Sequence, residues 1–239
     1  MVRIGVITDA HANLPTLKAA LEALDAEACD LIVHTGDAIG IGPHPAEVLT
    51  TLLEWDGIHL LLGNHDAWFA HGLPEPRPEW MSLGEYEHQI WVHAQLASDL
   101  REAVRRWPYA MSLDLPGLTA QLSHYAYGDL VTGFSPIILD PSPEDLDSLF
   151  GPLDAELNLY GHHHPRSDLQ GRSRHVNPGA LGCNVEPRAR FAIVDVPDRG
   201  AWTLTLRDVG YDWGPVFRDL ELRQVPARET ILRIFFGQG

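Results

Sequence analysis

Three times within the first 66 residues, an apolar run of strand type ends in a carboxylate or histidine and gives way to a loop and a helix-forming stretch. The runs are "RIGVITD" (3–9), "DLIVHTGD" (30–37) and "IHLLLGNHD" (58–66). Between the first two, "LPTLKAALEALDAEA" (14–28) places Leu14, Leu17, Leu21 and Leu24 on one helical face, and a second helix is expected from about Ala46 to Trp55. Continuous apolar strands alternating with helices require a mainly parallel sheet covered on both faces, which sets the class as α/β. In open sheets of this class ligands bind beyond the carboxyl ends of the strands. The residues at those ends therefore carry the most information about function.

The texture then changes. Residues 67–83 are rich in tryptophan and proline, and 83–107 reads as one long amphipathic helix closed by Pro108. Together they form an inserted helical lobe over about 67–108. "YAMSLDL" and "LTAQLSHYAY", around Pro116-Gly117, read as a hairpin, followed by a short helix near 143–150 and a strand "ELNLYGHHH" (156–164). More strands are expected at "SRHVNPG", "RFAIVDV" and "WTLTLRDV", with "ARETILRIFFG" as a terminal helix. The chain reads as a single domain, 1–239, with a C-terminal helical extension over about 211–239. Trp68, Trp80, Trp91 and Trp107 are expected in the core of the lobe.

Ligand-type residues cluster at the strand ends: Asp9 and His11, Asp37, then Asn64, His65 and Asp66, then His124, and finally His162 and His164. In extended chain, residues two apart share a side. Asp9 pairs with His11 on that basis, and His162 with His164, while His163 points away. The remaining histidines (34, 44, 59, 71, 88, 93 and 175) show no such pattern. Carboxylates and imidazoles without thiolate suit Mn²⁺, Fe²⁺ or Zn²⁺. Seven ligands exceed one tetrahedral site and suit two ions sharing a carboxylate. Cys29 and Cys183 form neither a disulfide framework nor a metal motif and read as small apolar fillers.

The motifs "DAH", "GD", "GNHD", a lone His124 and "GHHH" resemble, in order and spacing, the signature of the calcineurin-like metallophosphoesterase superfamily. "TGDAIGIGPHPAEVL" and "VNPGALG" look like its small prokaryotic phosphodiesterase and diadenosine-tetraphosphatase-like branch. The resemblance spans about residues 1–195. It implies a four-layer αββα sandwich, one metal on Asp9, His11 and His164, a second on Asn64, His124 and His162, and Asp37 bridging both. It further implies His65 as the general acid, oriented by Asp66, with a hydroxide shared by the metals attacking phosphorus in line. Manganese is the first expectation for both ions, with iron, zinc, nickel or cobalt as alternatives. "GHHH" places His163 where threonine is common, and Ile41 stands where tyrosine is frequent; neither removes a ligand.

The formal net charge of −16, with Lys18 the only lysine, argues against a track for long nucleic acids. Positive charge is expected only at the metals, with Arg166 nearby. No secretory leader or bilayer-spanning run is legible, so a cytoplasmic protein with no membrane association is expected. The expected activity is hydrolysis of a small phosphodiester or nucleotide, without stable nucleic-acid binding and compatible with a homo-oligomer. The alternatives are a diadenosine polyphosphate hydrolase and, from another class, a non-catalytic scaffold on the same fold. Scaffolds of this kind typically lose the acid histidine or metal ligands, and every one is retained here.

Overall fold

The computed structural model describes residues 1–128 and 133–238; Gly239, the end of the expected C-terminal extension, lies outside them. Two five-stranded mixed sheets pack face to face. The first contains β1 (Val2–Ile7), β2 (Leu31–His34), β3 (Ile58–Leu60), β9 (Arg188–Val196) and β10 (Thr203–Gly210), in the order β10-β9-β1-β2-β3. β1, β2 and β3 are parallel, as the alternating pattern requires, and β9 and β10 extend the sheet antiparallel. The second sheet holds β4 (Ala110–Leu115), β5 (Leu118–Ser123), β6 (Leu157–Leu159), β7 (Ser167–Gln170) and β8 (Arg174–Asn177), in the order β4-β5-β6-β8-β7.

Side-chain alternation makes the layers. On β9, Ala192, Val194 and Val196 join Ile4 and Val6 of β1 in one core with Leu118, Ala120, Leu122, Leu157 and Leu159 of the second sheet. Phe191 and Ile193 point the other way, onto the helices α1 (Leu14–Ala26) and α2 (Pro45–Glu54). Leu17, Leu21 and Leu24 of the expected stripe are fully buried there. On the far side, α6 (Pro143–Leu149) covers the second sheet through Leu146 against Tyr125 and Tyr160. This is an α/β sandwich of the four-layer kind expected.

Several boundaries differ from the sequence reading. β3 stops at Leu60, and Asn64, His65 and Asp66 open a helix, α3 (Asn64–His71), instead of ending a strand. The expected helix over 83–107 is two, α4 (Leu83–Ala94) and α5 (Ser98–Val104), because Ala97 takes an extended backbone (ψ 157°) between them. The strand over 156–164 covers only Leu157–Leu159, and β7 has no counterpart in the sequence reading. The C-terminal extension holds two helices, α7 (Gly214–Leu222) and α8 (Arg228–Phe236). Among the described residues no helix is long and apolar enough to cross a membrane.

Candidate metal centre

The loops leaving β1 and β2 are zipped together: Asp9 N donates to Gly36 O (2.9 Å), His11 N to Asp37 O (3.0 Å) and Ala12 N to Ala38 O (2.8 Å). The loop after β6 joins them, with His162 N donating to Asp9 Oδ2 at 3.0 Å. A Cβ on Gly63 would lie 2.1 Å from Asp37 Oδ1, and one on Gly161 2.6 Å from Asp9 Oδ2, so backbone presses directly on both carboxylates.

Asp9, His11, Asp37, His162 and His164 all have positive φ, between 44° and 69°. Such a backbone costs a non-glycine residue about 1–3 kcal/mol, and the strain gathers where function over-determines geometry. The extended-chain argument for His162 and His164 is thereby corrected: alternate residues do face the site, but from a left-handed turn. His163 does point elsewhere, its Nδ1 accepting from Asn177 Nδ2 (3.0 Å) and its ring stacked on Tyr160.

Two sets of ligand atoms face each other. His11 Nε2 lies 2.9 Å from His164 Nε2, and Asp9 Oδ1 is 3.5 Å and 3.7 Å from these nitrogens. His124 Nε2 lies 3.1 Å from His162 Nδ1 and 3.3 Å from Asn64 Oδ1. Asp37 Oδ2 stands between the sets, 3.3 Å from His124 Nε2 and 3.8 Å from His11 Nε2. Neighbouring nitrogens on one ion with bonds of ~2.0–2.1 Å would sit about 3 Å apart, as both pairs do. The outer nitrogens are already committed: His11 Nδ1 donates to Ile39 O and His124 Nδ1 to Thr35 O, both at 3.2 Å. Those bonds fix the tautomers that leave the inner nitrogens free for a cation.

The electrostatics agree. Burial opposes ionisation of Asp37, yet His124 and His65 hold it well below the usual carboxylate range. Burial would lower His124, but Asp37 holds it up at about 9. A buried acceptor cluster of this kind demands positive charge. Without an ion, the buried carboxylates hold His11 and His124 up, while burial pushes His162 down to about 3 and His164 to about 4; the donor set fits divalent metal.

His65 meets the site from α3, its Nε2 3.9 Å from Asp37 Oδ2. Its Nδ1 contacts not Asp66 but Gln89 Nε2 of α4, at 2.7 Å. Asp66 accepts instead from the backbone N–H groups of Gly63 (3.0 Å) and Ala38 (3.1 Å), which corrects its expected role in orienting His65. It clamps the β2 loop to the start of α3. Gln89 has no sequence signature, since one glutamine on an amphipathic helix is ordinary. Burial pushes His65 down to about 4, with Asp37 opposing.

Other expectations also change. Arg166 turns away, donating to the carbonyls of Pro178 and Arg207 and pairing with Asp208. Trp107 is buried, but Trp80 is 67% exposed and stacks on Trp68, whose ring lies 5.0 Å from His65. Cys183 is buried in an apolar cluster, as expected of a small filler, and its sulfur also lies within 4.8 Å of ligand atoms of His11 and His164. Among the described residues, none of the seven histidines without a sequence pattern joins the groups of ligand atoms.

A calcineurin-like phosphoesterase superfamily domain matches residues 2–199. The chain is similar to a hypothetical protein from Pyrococcus horikoshii OT3, with 22% identity over 100% of both chains and a TM-score of 0.80. It is also similar to a metallophosphoesterase from Sphaerobacter thermophilus, with 24% identity over 97% of this chain and 96% of that one, at a TM-score of 0.69. A proposed diadenosine tetraphosphatase shares the fold at 14% identity, covering 89% and 95% of the two chains, with a TM-score of 0.57. No curated protein matches the chain.

Proposed function

Because this chain belongs to the calcineurin-like phosphoesterase superfamily, we propose that it is a dinuclear, metal-dependent hydrolase of small phosphoric esters, acting chiefly on phosphodiesters. The observation that carries the reading is the pair of facing nitrogen sets, His11 with His164 and His124 with His162, on either side of Asp37. Asp9, His11 and His164 would hold one ion, Asn64, His124 and His162 the other, and Asp37 both. Two divalent ions supply Lewis acidity at the phosphoryl oxygens and lower the pKa of water toward neutrality.

The chain's own residues supply the rest. His65 stands beside the site as the proton donor to the leaving oxygen, a role worth ~10²–10⁴-fold. An anionic ester beside the ring raises its proton affinity again. Gln89 serves both protonation states. Its N–H donates to Nδ1 of the neutral ring, leaving Oε1 unpartnered and buried. Once Nδ1 carries a proton, the turned amide presents that oxygen to it. Asp66 keeps the two catalytic loops in register.

A formal charge of −16 favours small substrates over polymers. One observation favours a dinucleotide: the exposed Trp80, stacked on Trp68 beside His65, offers a face for a base. The test is a metal-loaded sample assayed on aryl phosphodiesters, cyclic nucleotides, diadenosine polyphosphates, monoesters and single-stranded oligonucleotides. Turnover of small diesters, abolished in His164→Ala together with metal content, supports the reading. Diadenosine polyphosphates as the best substrates would favour the second form. Two bound ions with no turnover on any member would return the chain to the scaffold class.

A further inference from the structure

We propose that Cys183 is a ligand of the ion held by Asp9, His11 and His164, making that half of the centre a mixed carboxylate, imidazole and thiolate site. The inference rests on the metal-centre reading above and deepens it. The ligand atoms of His11, His164 and Cys183 all lie within 4.8 Å of one another. Ligands of a single ion, with bonds of ~2.3 Å to sulfur and ~2.0–2.1 Å to nitrogen, are at most about 4.4 Å apart. The sulfur is thus near enough to both imidazoles to be drawn onto the same ion by local movement.

The position is held from both sides. Ala180 N donates to His164 O (2.8 Å), Leu181 N to Thr8 O (2.9 Å) and Gly182 N to Asp9 O (2.8 Å). The segment is sewn to the two loops that carry the ligands, so the sulfur moves with them. Behind it lies an apolar wall that includes Ile41 and, from the C-terminal extension, Val216 and Phe236. Cys183 is only 6% exposed.

These surroundings decide what the sulfur can do. A thiol this buried among apolar side chains is a poor free nucleophile. A metal cation reverses that balance: the S–H proton leaves to solvent as the metal–sulfur bond forms. Thiolate also changes metal preference. Hard Mn²⁺ loses ground to Zn²⁺, Fe²⁺ or Co²⁺ at this position, against the manganese expected from carboxylates and imidazoles alone.

The test uses the full-length chain carrying Cys29→Ser, which removes the other thiol, loaded with Co²⁺. The expected result is two ions per chain and a strong near-ultraviolet sulfur-to-cobalt charge-transfer absorption, lost on adding Cys183→Ser. Competition dialysis should show the Zn²⁺-over-Mn²⁺ preference falling roughly 10-fold or more in that variant. Two bound ions without the charge-transfer band in the parent protein would overturn this inference alone. Failure to take up cobalt at all would overturn the metal-centre reading and this inference with it.

Discussion

Replacing Gln89 by leucine removes one hydrogen bond, the 2.7 Å contact from Nε2 to His65 Nδ1, and leaves every proposed metal ligand untouched. Hydrogen bonds to charged groups are worth about 1.5–3 kcal/mol, and neutral ones about 0.5–1.5 kcal/mol. If His65 donates its proton in the transition state, the bond matters most when Nδ1–H is charged. At about 1.4 kcal/mol per tenfold, the loss in kcat is then roughly 10- to 100-fold on esters with poor leaving groups. It must stay below the loss in His65→Asn, because Gln89 acts only through that ring. An activated aryl ester needs little protonation of its leaving group and should be nearly spared. The assay is kcat and KM across a series of aryl and alkyl diesters for Gln89→Leu, His65→Asn and the double variant, with metal content measured throughout. The double variant should equal His65→Asn alone. Multiplicative losses in the double variant, equal losses across leaving groups, or a fall in metal content would each refute the reasoning.

Other residues give independent checks. Asp66→Ala should orphan the buried N–H groups of Gly63 and Ala38, costing about 1–3 kcal/mol for each unsatisfied donor; denaturant unfolding of the metal-free protein reads this, and an unchanged midpoint would deny the clamp. Gly161→Ala would put a Cβ 2.6 Å from Asp9 Oδ2, so bound metal and activity should fall together while His163→Ala retains both. His88 is buried, and that burial pushes its imidazole down to about 3. An unfolded histidine titrates near ~6.5, so the unfolded chain binds the extra proton first and stability falls as pH drops from about 6.5 towards 3. Replacing His88 by leucine should flatten that part of the thermal-melting profile, and parallel profiles would contradict the argument.

The sequence reading brought the candidate ligands together because strand ends on one edge of a parallel sheet converge, and Asp9, Asp37, His124 and His164 do meet there. It misread local geometry where two signals overlap. The run Leu60-Leu61-Leu62 looks like continuing strand, yet Leu61 and Leu62 are buried outside β3 and the next residues start a helix. The alternation rule separated His163 from its neighbours, but a left-handed turn does so as well. Gln89 and Cys183 were hidden for a different reason. Each is a single residue of a common role, remote in sequence from the site and brought to it only by packing of α4 and of the loop before β9. Trp80 shows the converse, an aromatic residue whose composition suggested core and whose position is exposed.

The central claim is that two ions sit on either side of Asp37. Anomalous diffraction from crystals of the metal-loaded protein tests it most directly. The account predicts two peaks, one among Asp9, His11 and His164 and the other among Asn64, His124 and His162, with Asp37 touching both. A single peak, or a peak on His163, would contradict it.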